Sequence, residues 1–144
     1  GGNIKLIKEI IFKNKTIGLL KVYGVILSRL KKHAEIDLIY TYITQQDAQK
    51  YGVSDTSMDE VTNFMNNISE VKACLIFKET FDGKIKCSFR TTRHDVDVGF
   101  IAKQFGGGGH KKAAGCTVDG SLQVVAQRVF AKIKECDILA RQAE

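Results

Sequence analysis

The stretch with the most chemical content is Gly106-Gly107-Gly108-Gly109-His110-Lys111-Lys112-Ala113-Ala114-Gly115. Four successive glycines cost backbone entropy on folding, so neither packing nor propensity favours them. They are useful where backbone must bend sharply and come close to a ligand. Successive N–H groups in such a turn can converge on an anion, and a helix start just after it adds partial positive charge. His110, Lys111 and Lys112 add donors and charge at the rim of that concavity, and the small pair Ala113-Ala114 lets the turn pack closely on a sheet. A second stretch, Ser88-Phe89-Arg90-Thr91-Thr92-Arg93, closes a β-rich run. The two-residue period puts Ser88, Arg90 and Thr92 on one face, and an arginine there suits bidentate recognition of phosphate.

Neither standard phosphate pattern is present. The chain has no G-x-x-x-x-G-K-[ST], and its glycines follow a helical pattern where a dinucleotide fingerprint requires a strand. A flexible linker also fails as an account, because patterned elements flank the glycine run on both sides. Asp95 and Asp97 stand two apart, but Asp97 sits where a helix cap belongs. The three histidines, His33, His94 and His110, are never adjacent. They cannot assemble the carboxylate–histidine cage of a two-metal site.

The elements that position these residues follow from periodicity and turn chemistry. Residues 1–15 carry Ile4, Ile7, Ile10 and Ile11 at helical spacing and read as an amphipathic linker helix, with a joint at Asn14-Lys15. Thr16 caps a second helix through Leu19, Tyr23, Ile26 and Leu30, weakened by Gly18 and Gly24. A strand over Ile36 to Thr44 leads into a capping box at Thr44 and Asp47. Ser57 and Glu60 repeat that device. Val71 to Glu79 and Ile85 to Thr91 form a hairpin about Asp82-Gly83. Asp97 caps the helix that the glycines stop, His110 to Ala114 make one helical turn, and Cys116 to Val118 form a short strand. Asp119-Gly120 then turns the chain into a long helix from Ser121. The expected fold is a single α/β domain, a mixed β-sheet flanked by helices and preceded by the linker helix.

The segment Ser88 to Gly115, with Asp95-Val96-Asp97-Val98 ahead of the glycines, resembles the DHH-associated C-terminal domain of DHH-family phosphoesterases. Its Gly106 to Gly115 run is most similar to the nano-RNase/pAp-phosphatase branch, as are Tyr42-Ile43-Thr44 and Tyr51-Gly52-Val53. Phe89 stands where that branch usually has Leu, and Thr91 where it often has Ser. The resemblance implies a two-domain enzyme acting on short single-stranded RNA or 3′-phosphoadenosine 5′-phosphate. Its N-terminal half, in the same polypeptide, would hold two Mn²⁺ ions through Asp and His residues, including an adjacent Asp-His-His. Residues 16–144 would be the nucleotide-binding half, with Arg90, Gly107, Gly108, Gly109 and His110 as substrate contacts. Without the metal-binding half, this chain is expected to hydrolyse nothing by itself. Two other readings stand beside this one: a free-standing RNA or tRNA-binding module, since a related domain ends alanyl-tRNA synthetases, and part of a cyclic-dinucleotide phosphodiesterase. Homodimerisation is left open.

Composition agrees with a basic globular chain. Its 144 residues carry a net charge of +6, which favours anionic partners. No apolar run is long enough for a membrane span. Cys74, Cys87, Cys116 and Cys136 are too scattered for a zinc site or a disulfide framework, and read as thiols in a reducing cytoplasm.

Overall fold

The computed structural model describes residues 16–68 and 70–136. The expected linker helix at 1–15 lies outside them. Helix α1 (Ile17–Ser28) starts at Thr16, whose hydroxyl accepts the Leu19 N–H. The two glycines do not prevent it. A Cβ at Gly18 would stand 2.1 Å from the Tyr51 carbonyl oxygen, so that glycine lets the helix lie closely against the backbone at Tyr51. Strand β1 (Lys31–Lys32) precedes β2 (Leu38–Ile43), α2 (Gln45–Tyr51) and α3 (Asp55–Met65). The Thr44/Asp47 capping box is present, and α2 stops at Gly52 with φ 63°. Helix α3 begins three residues, nearly one turn, earlier than its sequence pattern suggested: Ser54 is the cap, and Ser57 supplies the N–H that the cap accepts.

Strands β3 (Ala73–Glu79) and β4 (Lys84–Arg90) form the hairpin, with Gly83 at φ 78° in its turn. Helix α4 (Val98–Lys103) is capped by Asp97. Next come β5 (Gly108–His110), β6 (Ala113–Asp119) and α5 (Leu122–Cys136). The six strands make one sheet in the order β1-β2-β3-β4-β6-β5. Only β2 and β3 run parallel, joined through α2 and α3. The expected mixed α/β domain is therefore observed.

The residues from His110 to Ala114 do not form a helical turn. Gly108–His110 pairs antiparallel with Ala113–Gly115, so Lys111 and Lys112 are the two-residue connection of a hairpin, and β6 starts three residues earlier than expected. Strand β4 also ends at Arg90, which leaves Thr92 off the face shared by Ser88 and Arg90.

Burial shows how the sheet is covered. The first five residues of β3 are buried on both faces, whereas β4 alternates buried and half-buried along its length. One face carries Leu75, Phe77, Cys87, Phe89, Ala114 and Cys116 into a core closed by α4 and by Val125, Val129 and Ile133 of α5. The other packs Ile39, Ile43, Cys74 and Ile76 against Leu19, Val22 and Ile26 of α1 and Val61 and Met65 of α3. That second layer ends over β3 and the side of β4 that α3 reaches, where Arg90 bonds Asn63. Beyond it, no helix among the described residues lies over β6 and β5 on that side.

Candidate functional site

The glycine run is built between a helix end and a sheet edge. After α4, Gly106 takes φ 76°, a left-handed conformation that ends a helix without a Cβ clash. The Gly106 N–H bonds the Lys103 carbonyl at 3.2 Å, and the Gly107 N–H bonds the Ala102 carbonyl at 3.0 Å. These two amides are thus used in closing the helix and are not among the donors left for a ligand. Gly107 is required by contact: a Cβ there would meet the Gly115 oxygen at 2.2 Å and Cys116 Cβ at 2.6 Å. Gly109, at φ 137°, is equally tight against Ala113 and Ala114. Gly108 differs, because a Cβ on it would meet nothing within 4 Å. It borders open space.

The expected helix start after the glycines is absent. The nearby helix end is that of α4, lying beneath the hairpin turn with its Val98 N–H bonded to the Lys111 carbonyl at 2.9 Å. The Thr91 N–H holds the Lys112 carbonyl at 3.0 Å. Thr91 is itself buried, its hydroxyl donating to the Lys72 carbonyl. Both lysine side chains of the turn remain exposed.

The sheet register brings Arg90 and His110 together. Arg90 pairs with Ala113, and Ala113 pairs with His110. Directly opposed residues share a face, so Arg90, Ala113 and His110 line one row on the side away from α4 and α5. The row beside it is Ser88, Gly115 and Gly108. Small residues make the floor, and Arg90 and His110 flank it, their Cα atoms about 10 Å apart across two strand spacings.

Arg90 is half-buried and oriented. Its Nε donates to Asn63 Oδ1 of α3 at 3.0 Å, and its Nη1 donates to the Phe89 carbonyl at 2.9 Å. Asn63 was not legible as a site residue, since only tertiary packing sets α3 beside β4. Arg93, in contrast, is occupied by a two-bond fork to Asp95 at 2.8 and 2.7 Å. Hydrogen bonding from Arg93 holds the Asp95 carboxyl at about 2. His94 is exposed, and Asp97 is engaged as the α4 cap. His110 is exposed at the end of the row. The arrangement can receive an anion on the floor between Arg90 and His110, with Lys111 and Lys112 at its rim.

No group of three or more His, Cys, Asp or Glu side chains suited to a metal ion occurs among the described residues. The residues seen here therefore do not fit the manganese pair implied by the family resemblance, and no chemical step is assigned to a metal on this chain. No helix among the described residues is long and apolar enough to cross a membrane.

An α/β domain with an uncovered, glycine-floored and cationic half-sheet is the class that fold and site define. The chain belongs to the DHHA1 domain family, which matches residues 35–136. A curated relative, the A-adding tRNA nucleotidyltransferase of Aquifex aeolicus (strain VF5), is 24% identical over 151 residues, covering 96% of this chain and 17% of that protein. The chain thus spans less than a fifth of that relative's length. Among solved structures, an exopolyphosphatase-related protein from Bacteroides fragilis superposes with a TM-score of 0.76 at 20% identity, over 93% of this chain and 40% of the other. A pGpG-specific phosphodiesterase from Vibrio cholerae gives 0.54 at 14% identity, over 95% and 43%. The C-Ala domain of Aquifex aeolicus alanyl-tRNA synthetase gives 0.53 at 12% identity, over 71% and 96%. At these identities the structural likeness speaks for the fold.

Proposed function

We propose that this chain is the substrate-holding domain of a DHH-family phosphoesterase that acts on short oligoribonucleotides and 3′-phosphoadenosine 5′-phosphate. Another part of the same polypeptide would supply the metal-bearing half. The observation that carries the reading is the Arg90–Ala113–His110 row, which runs from beside α3 onto the face of β6 and β5 that no helix among the described residues covers. A guanidinium offers two parallel donors to a phosphate, and His110 faces it across a floor where Gly108, Ala113 and Gly115 leave room. The chain's role is to bind and orient a terminal phosphate; bond cleavage belongs to the other half. Two structural neighbours, the exopolyphosphatase-related protein and the pGpG-specific phosphodiesterase, are each less than half covered by this chain, which fits a two-domain parent.

A second reading, an RNA or tRNA-binding module, draws support from the tRNA nucleotidyltransferase relative and from the C-Ala domain, itself covered over 96% of its length. Salt dependence separates the two. Engaging two to four phosphates of a single strand gives a log–log slope of order −1 to −3. Titrating the 144-residue chain with 3′-phosphoadenosine 5′-phosphate, adenosine, a trinucleotide and tRNA should show phosphate-dependent binding of the short ligands with that shallow slope. Equal binding of adenosine, or a preference for tRNA with a slope near −8, would overturn the short-substrate reading.

A further inference from the structure

The uncovered face does not end at the Arg90–His110 row. Along β4, Lys86 lies on the same face as Ser88 and Arg90, four residues and about 13 Å from the row. There the floor opens into a cavity of about 400 Å³ between α2, the start of α3 and the β3–β4 turn. This volume is within the range of small-ligand sites. Its wall includes the side chains of Gln45, Gln49, Val53 and Lys86, and Phe81 of the hairpin tip stands at its edge.

Phe81 is 88% exposed, the most solvent-accessible of the large apolar side chains among the described residues. Three carboxylates, Asp55, Glu79 and Asp82, share the cavity wall with Lys78 and Lys86, and each acid has a hydrogen-bond partner. Asp55 pairs with Lys78, Glu79 accepts the Gln45 N–H at 3.1 Å, and Asp82 accepts the Thr80 hydroxyl. Lys78, by hydrogen bond and charge, and then Lys86, by charge, hold the Asp55 carboxyl below its usual range, and Gln45 and Gln49 line the cavity beside them. An exposed aromatic ring, two glutamines and a lysine along one cavity have the chemistry of a nucleobase site. Aromatic rings stack any base, amides read base edges, and the ammonium meets a phosphodiester.

We infer that the Phe81 cavity is a second nucleoside subsite. It takes a downstream base of an oligonucleotide whose terminal phosphate lies at the Arg90–His110 row, and Lys86 meets the backbone between them. The inference rests on the phosphate-holding reading above and deepens it. A stacked step rises only about 3.4 Å per strand. A mononucleotide held at the row therefore leaves the cavity empty, whereas a short strand laid unstacked and extended along β4, with its last base splayed toward Phe81, reaches it.

The test is a ¹⁵N-resolved NMR titration of the 144-residue chain with 3′-phosphoadenosine 5′-phosphate and with a 5′-phosphorylated adenylate trinucleotide. Both ligands should shift the amides of residues 108–112, and only the trinucleotide should also shift Gln45, Gln49 and Phe81. Phe81→Ala should weaken trinucleotide binding roughly tenfold, within the range for losing one stacked base. It should leave mononucleotide binding and the dispersion of the spectrum unchanged. Trinucleotide shifts confined to residues 88–90 and 108–112, or unaltered trinucleotide affinity in the variant, would overturn the subsite and leave the phosphate reading intact. No shift at residues 108–112 with either ligand would overturn the phosphate reading, and the subsite with it.

Discussion

Arg90 and His110 lie in one cross-strand row with only the methyl group of Ala113 between them. If the two meet one phosphate, each should be needed for binding, and neither should be needed for folding. Arg90→Lys keeps the charge and loses the planar fork as well as the Nε bond to Asn63. It should already weaken 3′-phosphoadenosine 5′-phosphate. His110→Ala should cost roughly 5- to 150-fold in affinity, the equivalent of about 1–3 kcal/mol. Calorimetric titration beside thermal melts checks this: unchanged affinity in both variants, or losses explained by lower melting temperatures, would return them to a structural role.

The glycines divide into two classes that substitution can separate. Gly107→Ala forces a Cβ into the Gly115 carbonyl and Cys116, so it should destabilise by about 1–3 kcal/mol and lower the melting temperature by several degrees. Gly108→Ala meets open space and should melt like the parent. Its methyl would stand on the floor, so nucleotide affinity should fall. The reverse pattern would mean that the hairpin register is misassigned.

Asp47 gives the chain an acid-sensitive joint. Its partial burial alone would raise its pKa, but hydrogen bonds from Arg29 and Thr44, with the Arg29 charge, outweigh that and bring it below the usual carboxylate value. A carboxylate depressed by folding stabilises fully above its unfolded pKa, about 3.9, and loses that contribution as pH falls through the folded value. Urea midpoints should therefore drop below about pH 4, and Asp47→Asn should flatten part of that decline while lowering the midpoint at pH 7. An identical acid limb in the variant would remove Asp47 as its source.

Thiol reactivity should sort by burial. Cys74, Cys87 and Cys116 are buried, and Cys136 is half-exposed. Burial pushes the Cys74 thiol up to about 12. Cys87, register partner of Cys116, is also pushed up, by its hydrogen bond to Cys116 and by burial. Iodoacetamide at pH 8 should modify Cys136 alone in the folded chain and all four thiols in urea. Rapid labelling of Cys87 or Cys116 without urea would show that the core opens more readily than its packing implies.

Local signals in the sequence survived folding where the interaction was local. The Thr16 cap, the Thr44/Asp47 box, the Asp82-Gly83 turn and the Asp97 cap each involve residues within a few positions of one another, and each is present. The β5–β6 hairpin was not legible. Gly108 and Gly109 have no strand propensity, and their strand exists because β6 pairs with them. Gly107 was conspicuous, but the need for it comes from residues 115 and 116, and its amide serves α4 instead of a ligand. Asn63 carries no signal at all, because its contact with Arg90 spans 27 positions. The capping shift from Ser57 to Ser54 was a choice between equivalent residues one turn apart.

The two carbonyl anchors beneath the hairpin, Lys111 to Val98 and Lys112 to Thr91, change what four glycines mean for recognition. A free glycine segment would lose its disorder each time a ligand arrived, and that entropy would be subtracted from the affinity. Here the loss is incurred once, when the domain folds. The loop meets its ligand preorganised: amide order parameters through residues 106–112 should match those of the sheet, and binding should carry no entropic penalty from loop ordering.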